Sequence, residues 1–237
     1  MTSGSAGQLA PTTSRTGSDA MSSPAQPANP FPGMPVLAVI SAGLAPVVLV
    51  SAWVIAGTLQ PASYSPVRQT VSVLAGHAGT DRWIMTAGLL AVGCCHLVTA
   101  AGLTIVRARA RIVLTAAGIA SIGVALSPEP AHGTSLRHLA WTVAAAAALT
   151  LWPVLAARTE PRPLIVGIPV TAVVTALLVV LLGWLVVQTR GGDVLGLAER
   201  LTAAAQNFWP FPSPWSCTAS RAGRPVRLPT CGRAAAR

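Results

Sequence analysis

Half of the ten His, Asp and Glu residues of this chain, types that could carry acid–base or metal chemistry, gather in two polar stretches. Leu59 to Arg82 holds His77 and Asp81; Ser127 to His138 holds Glu129, His132 and His138. Imidazoles beside carboxylates can move protons near neutral pH, as hydrolysis and group transfer require. These five residues are therefore the candidate catalytic set. His132 and His138 lie six residues apart across a glycine turn, a spacing that matches no familiar zinc pattern. A metal ion would need Asp81, Glu129 or His77 to complete its shell, so neither a metal nor another cofactor is called for. The plainer account takes precedence, because connections between membrane segments are polar and topology charges need counter-charges. The chain contains no C-x-x-C, nucleotide-binding glycine loop, nucleophile elbow or H-E-x-x-H motif, so common membrane protease, transferase and ATPase chemistries lack their signatures.

What must position these stretches is a set of five apolar runs, near Met34 to Thr58, Trp83 to Val106, Ile112 to Ser127, His138 to Ala156 and Leu164 to Val187. A bilayer core of about 30 Å takes about 20 apolar residues of helix, and in hydrocarbon only a helix or a closed barrel satisfies its own backbone. Charged residues make up 9% of the chain and hydrophobic residues 52%, with a mean hydropathy of +0.61. An ordinary soluble domain is about 25% charged. The expected fold class is an all-α, multi-pass transmembrane bundle with five clear spans and a degenerate sixth. The net charge of +10 comes from sixteen arginines and no lysine. Lying in the gaps between spans without aromatic interleaving, these arginines read as topology determinants, and no nucleic-acid partner is expected.

Residues 1–33 are Ser, Thr, Gly, Pro and Ala with no apolar run, and are expected to be disordered. They lack a cleavable signal's pattern, so the first span should serve as an uncleaved anchor. Three arginines within five residues, Arg107, Arg109 and Arg111, are the strongest retention signal and place the N-terminus in the cytoplasm. The bundle domain runs over 34–210. Its last part, Val194 to Trp209, carries Glu199, Arg200, Gln206 and Asn207 before Pro210 and Pro212, and cannot span as written. Residues 211–237 read as a disordered basic tail. A frame slip near Pro210 would account for them, since the alternative frame stays apolar for about two more turns.

Inside the spans, Gly88 and Gly93, Gly118 and Gly123, and the Ala144 to Ala148 run offer small surfaces for close helix approach. The fifth span is Leu/Val-rich nearly all round and should face lipid most. His96 lies about 20 Å down the second span and is expected to be neutral, donating one hydrogen bond between helices. Cys94 and Cys95 act as small apolar residues. Ser65 and Pro66 suit the start of a short interfacial helix carrying Val67, Val71 and Leu74, with a turn at Gly76 to Gly79. Every Asp and Glu is expected to lie outside the helix interiors.

The order Tyr64-Ser65-Pro66, Val71-Ser72-Val73-Leu74-Ala75, Arg82 to Gly88, Gly93, His96, Ser127-Pro128-Glu129-Pro130, His132-Gly133, His138, Trp152-Pro153 and Glu199-Arg200 resembles the integral-membrane family catalogued as domain of unknown function 998. The resemblance runs from about Val36 to Pro210. It implies a six-helix bundle in a bacterial cytoplasmic membrane and no assigned reaction. Two functions of different class follow. One is a non-catalytic protein that binds or senses membrane lipid or a small amphiphile through its bundle and outer loops. The other is a membrane-embedded hydrolase or transferase using His77, Asp81, Glu129, His132 and His138. A secondary transporter ranks below both, for want of intramembrane acidic groups.

Overall fold

The computed structural model describes residues 36–104, 106–133, 135–157 and 167–210. The expectations for 1–33 and 211–237, the frame slip included, fall outside them. Among the described residues seven helices follow in order: α1 (Val36–Thr58), α2 (Val71–Ala75), α3 (Trp83–Gly102), α4 (Ala108–Ala125), α5 (Leu136–Ala156), α6 (Ile168–Gln188) and α7 (Leu195–Phe208). Five of them, α1, α3, α4, α5 and α6, are long and apolar enough to cross a membrane, as expected from the five runs. The chain is an all-α multi-pass bundle.

Neighbouring long helices pack in sequence, α1 on α3, α3 on α4, α4 on α5 and α5 on α6, and α7 closes the ring by touching α6, α1 and α5. The glycines set the closest crossings. A Cβ on Gly93 would stand 2.8 Å from the Gly118 carbonyl oxygen, and one on Gly118 2.8 Å from that of Gly93. Gly88 meets Ala52 of α1, and Gly123 lies under the Trp141 indole of α5. Two apolar clusters fill the interior. One gathers Leu103, Leu114, Leu149 and Trp152 toward the α3–α4 turn; the other gathers Leu49, Trp53, Leu74, Met85 and Val92 toward α2. Helix α6 has only Thr171 and Leu178 buried and leaves Val173, Val179, Val180 and Val187 exposed. It is the least buried of the five long apolar helices.

Helix α7 is built inside out. At fourteen residues it rises about 21 Å, too short to cross. Thr202, Gln206 and Asn207 are buried while Leu197, Leu201 and Phe208 are exposed. The polar stripe turns inward because it has partners there: Gln206 Nε2 donates to Ala146 O (3.1 Å) and Thr150 Oγ1 (2.8 Å) of α5. Glu199 lies in this same helix and faces the bundle, so the expectation that all acidic groups sit outside helix interiors is corrected.

The expected interfacial helix is also shorter than its pattern suggested. Residues 66–69 form a turn, with Arg68 and Gln69 N–H groups returning to Ser65 O, and the helix proper begins at Val71. The carbonyls that would have continued a helix from Ser65 are diverted to α7. Pro66 O and Gln69 O accept from Arg200 Nη1 (2.6 and 2.8 Å), and Val67 O accepts from Leu197 N (3.0 Å).

Candidate functional site

The two polar stretches meet, through a backbone bond from His77 N to Glu129 O (2.9 Å), and Gly76 lies against Glu129. Their titratable side chains do not converge on one pocket. His77, Asp81 and His132 are exposed and Glu129 is half-buried. Asp81 takes a left-handed backbone (φ 48°) just before α3, a conformation Asp tolerates better than most residues. Among the described residues no group of three His, Cys, Asp or Glu is placed to hold a metal ion.

His138 is the candidate drawn inward. Ser135 caps α5 by accepting from His138 N (3.3 Å), which places the imidazole in the first turn, 3% exposed. Its Nδ1 lies 2.7 Å from Ser127 O and its Nε2 3.0 Å from Ser72 Oγ. A carbonyl only accepts, so Nδ1 carries the proton. In the neutral ring Nε2 is then left as the acceptor for the Ser72 hydroxyl. Ser72 Oγ also lies 3.5 Å from Glu199 Oε1, while Glu199 Oε2 accepts from Val71 N (2.6 Å). Ser72 thus sits between an imidazole from α5 and a carboxyl from α7.

Arg200, next along α7, locks residues 64–69 onto this site. Its Nη1 donates to Pro66 O, Gln69 O and Gly196 O, and its Nη2 to the Tyr64 hydroxyl. Burial pushes the Tyr64 phenol above its usual range, a rise the Arg200 cation reduces. Spacing alone singled out neither Ser72 nor Glu199, because their partners lie 66 and 127 residues away in the chain. The resemblance motif Val71 to Ala75, read together with Glu199-Arg200, was the available signal.

Ser72 lines a partly open cavity of about 120 Å³ in the bundle, whose walls come from α1, α2, α3, α4, α5, α6 and α7. Leu49, Leu89, Val92, Val124, Leu149 and Leu185 form its apolar wall; Ser72 and Glu199 lie on its lining, as do Gln206 and Asn207 further along α7. Asn207 Nδ2 donates to Ala203 O (2.8 Å), which aims Oδ1 at His96 Nε2 (2.9 Å). His96 therefore donates one interhelical bond, as expected, and its Nδ1 has no partner. Ser41 and Thr99 hydroxyls pair at 2.8 Å between α1 and α3. The cavity thus has a polar wall along α7.

No curated protein matches, and no solved structure matches. A family model described as Protein of unknown function (DUF998) matches residues 43–212, most of the chain and all of α2 to α7. The chain, with its five membrane-capable helices, therefore belongs to the DUF998 family, whose function is unknown.

Proposed function

We propose that this protein binds a small single-chain amphiphile of the cell membrane in the α7-sided cavity. The observation that carries this reading is the lining itself: aliphatic side chains form most of the wall, and a hydroxyl and a carboxyl hold one part of it. Pockets for small molecules combine apolar walls with a few placed polar groups in this way. A cavity of about 120 Å³ is slightly below the 150 Å³ or so that accepts a benzene-sized guest, so it takes the headgroup at Ser72 with only the first few carbons of an acyl chain, and the rest of a longer chain extends out between the helices. The test is binding of cis-parinaric acid to the detergent-purified full chain. Ala145 lines the cavity, and Ala145→Phe should fill it and weaken binding more than tenfold without lowering the thermal midpoint by more than a few degrees. Equal binding by the variant would place the amphiphile elsewhere.

The accompanying orientation puts the N-terminus and the α3–α4 turn in the cytoplasm. Arg107 and Arg109 are exposed at that turn, while Arg111 is occupied in donating to Ala100 O (2.9 Å) and Ala101 O (3.2 Å) at the end of α3. In intact cells, Arg109→Cys should react with an impermeant maleimide only after permeabilisation, and Ala131→Cys should react directly. The reverse pattern inverts the topology.

A further inference from the structure

Several hydroxyls line the cavity, and their partners differ in kind. Ser121 Oγ donates to Ala117 O (2.9 Å), Thr142 Oγ1 to His138 O (3.0 Å) and Thr202 Oγ1 to Ala198 O (2.7 Å). Each returns its proton to a backbone carbonyl in the preceding turn of its own helix, Thr202 with a second, longer contact to Leu181 O of α6 (3.2 Å). Ser72 instead faces the free lone pair of an imidazole at 3.0 Å, and that ring's tautomer is fixed on its other side by the Ser127 carbonyl at 2.7 Å. A nucleophile within reach of a base, and the base oriented by a third group, is the arrangement that activates a serine hydroxyl.

We propose that Ser72 is the nucleophile and His138 the general base of a site that hydrolyses carboxylic esters of the amphiphile held in the cavity. The proposal rests on the binding reading above and assigns it a reaction. In the first half, Ser72 Oγ bonds to the ester carbonyl carbon as its proton passes to His138 Nε2. The tetrahedral adduct collapses, the carbon–alkoxide bond breaks, and His138 returns that proton to the departing alcohol. In the second half, water attacks the acyl–Ser72 ester and gives a proton to His138. The carbon–Oγ bond breaks, the carboxylic acid leaves, and the proton goes back to Ser72. No other co-reactant is needed. The Ser127 carbonyl stabilises the imidazolium that exists between the two transfers, since it continues to accept from Nδ1. Glu199 acts as a positioning residue: by accepting from Val71 N at 2.6 Å it ties the backbone beside Ser72 to α7. Its Oε1 lies 0.5 Å farther from Ser72 Oγ than the imidazole does, at 3.5 against 3.0 Å, so the nearer group takes the proton.

The experiment treats the full-length protein in detergent with a decyl fluorophosphonate, followed by intact-mass and peptide mass spectrometry. A catalytic serine displaces fluoride from phosphorus and keeps the adduct; a serine that only bridges helices does not. The expected result is one adduct, on Ser72, absent in Ser72→Ala and formed at least a hundredfold more slowly in His138→Gln. Because His138→Gln could loosen the first turn of α5, acylation of Ser72 in the unaltered chain by p-nitrophenyl decanoate is followed in parallel. A protein that binds cis-parinaric acid yet leaves Ser72 unmodified by both reagents overturns the esterase proposal while the binding reading stands. Labelling of Ser72 that is as fast in a folded His138→Gln variant also overturns it. Failure to bind the fatty acid at all rejects the binding reading instead.

Discussion

Arg200→Ala should cost about 3 kcal/mol of stability and free the 61–70 stretch from the bundle. One guanidinium serves three backbone carbonyls and the Tyr64 hydroxyl. Bonds to a charged donor are each worth about 1.5–3 kcal/mol, and carbonyls left behind lose a partner that water replaces only in part. The loss should appear as a lower thermal midpoint in detergent and as new reactivity of a cysteine placed at Gln69. Arg200→Lys should recover less than half of it, because an ammonium is a point donor and cannot fork between Tyr64 on one side and Pro66 and Gln69 on the other. A change below about 0.5 kcal/mol, typical of an exposed side chain, would mean that α7 holds the 61–70 stretch through Leu197 N and Glu199 alone.

Gly118→Ala should destabilise the bundle by about 2–3 kcal/mol, the cost of overpacking a tight interface. The added methyl would stand 2.8 Å from the Gly93 carbonyl oxygen and 3.0 Å from Leu97. A backbone oxygen on a packed helix cannot step aside as a side-chain end can, so α3 and α4 must separate. Gly93→Ala meets the mirror-image clash and the Ile122 side chain besides. Once one substitution has parted the helices, the other should add little, and the double variant should fall well short of the sum. Unfolding in a graded sodium dodecyl sulfate titration reads all three. Additive losses would show that the two glycines do not share one crossing.

The spans, their glycine crossings and the little-buried α6 were legible because each depends on local composition. Hydropathy over about 20 residues reports a span wherever its partners lie, and a glycine in an apolar run marks close approach without naming the neighbour. His96 was legible for a related reason, since a polar ring at mid-bilayer depth must find a partner inside. The site was only partly legible. His138 was among the candidates, but His77, Asp81, Glu129 and His132 shared its loops without sharing its burial or its partners. What selects His138 is the α5 cap at Ser135 and the arrival of Ser72 and Glu199 from distant segments, and no periodicity encodes that meeting. Helix α7 misled for a physical reason too. Its charges and amides look wrong for a membrane segment until the cavity and the polar atoms of α5 and α3 supply partners on its inner face.

The claim that an amphiphile occupies this cavity is tested most directly by photocrosslinking. The full-length protein in nanodiscs is irradiated with a diazirine-bearing fatty acid in trace amount, and the adducts are mapped by tandem mass spectrometry. The account predicts adducts concentrated on cavity residues of α5 and α7, Ala145, Leu149 and Ala203 among them, that disappear with excess unlabelled fatty acid. Adducts confined to the outward face of α6, at residues such as Val179 and Val180, and unaffected by competitor, would report bulk lipid and contradict it.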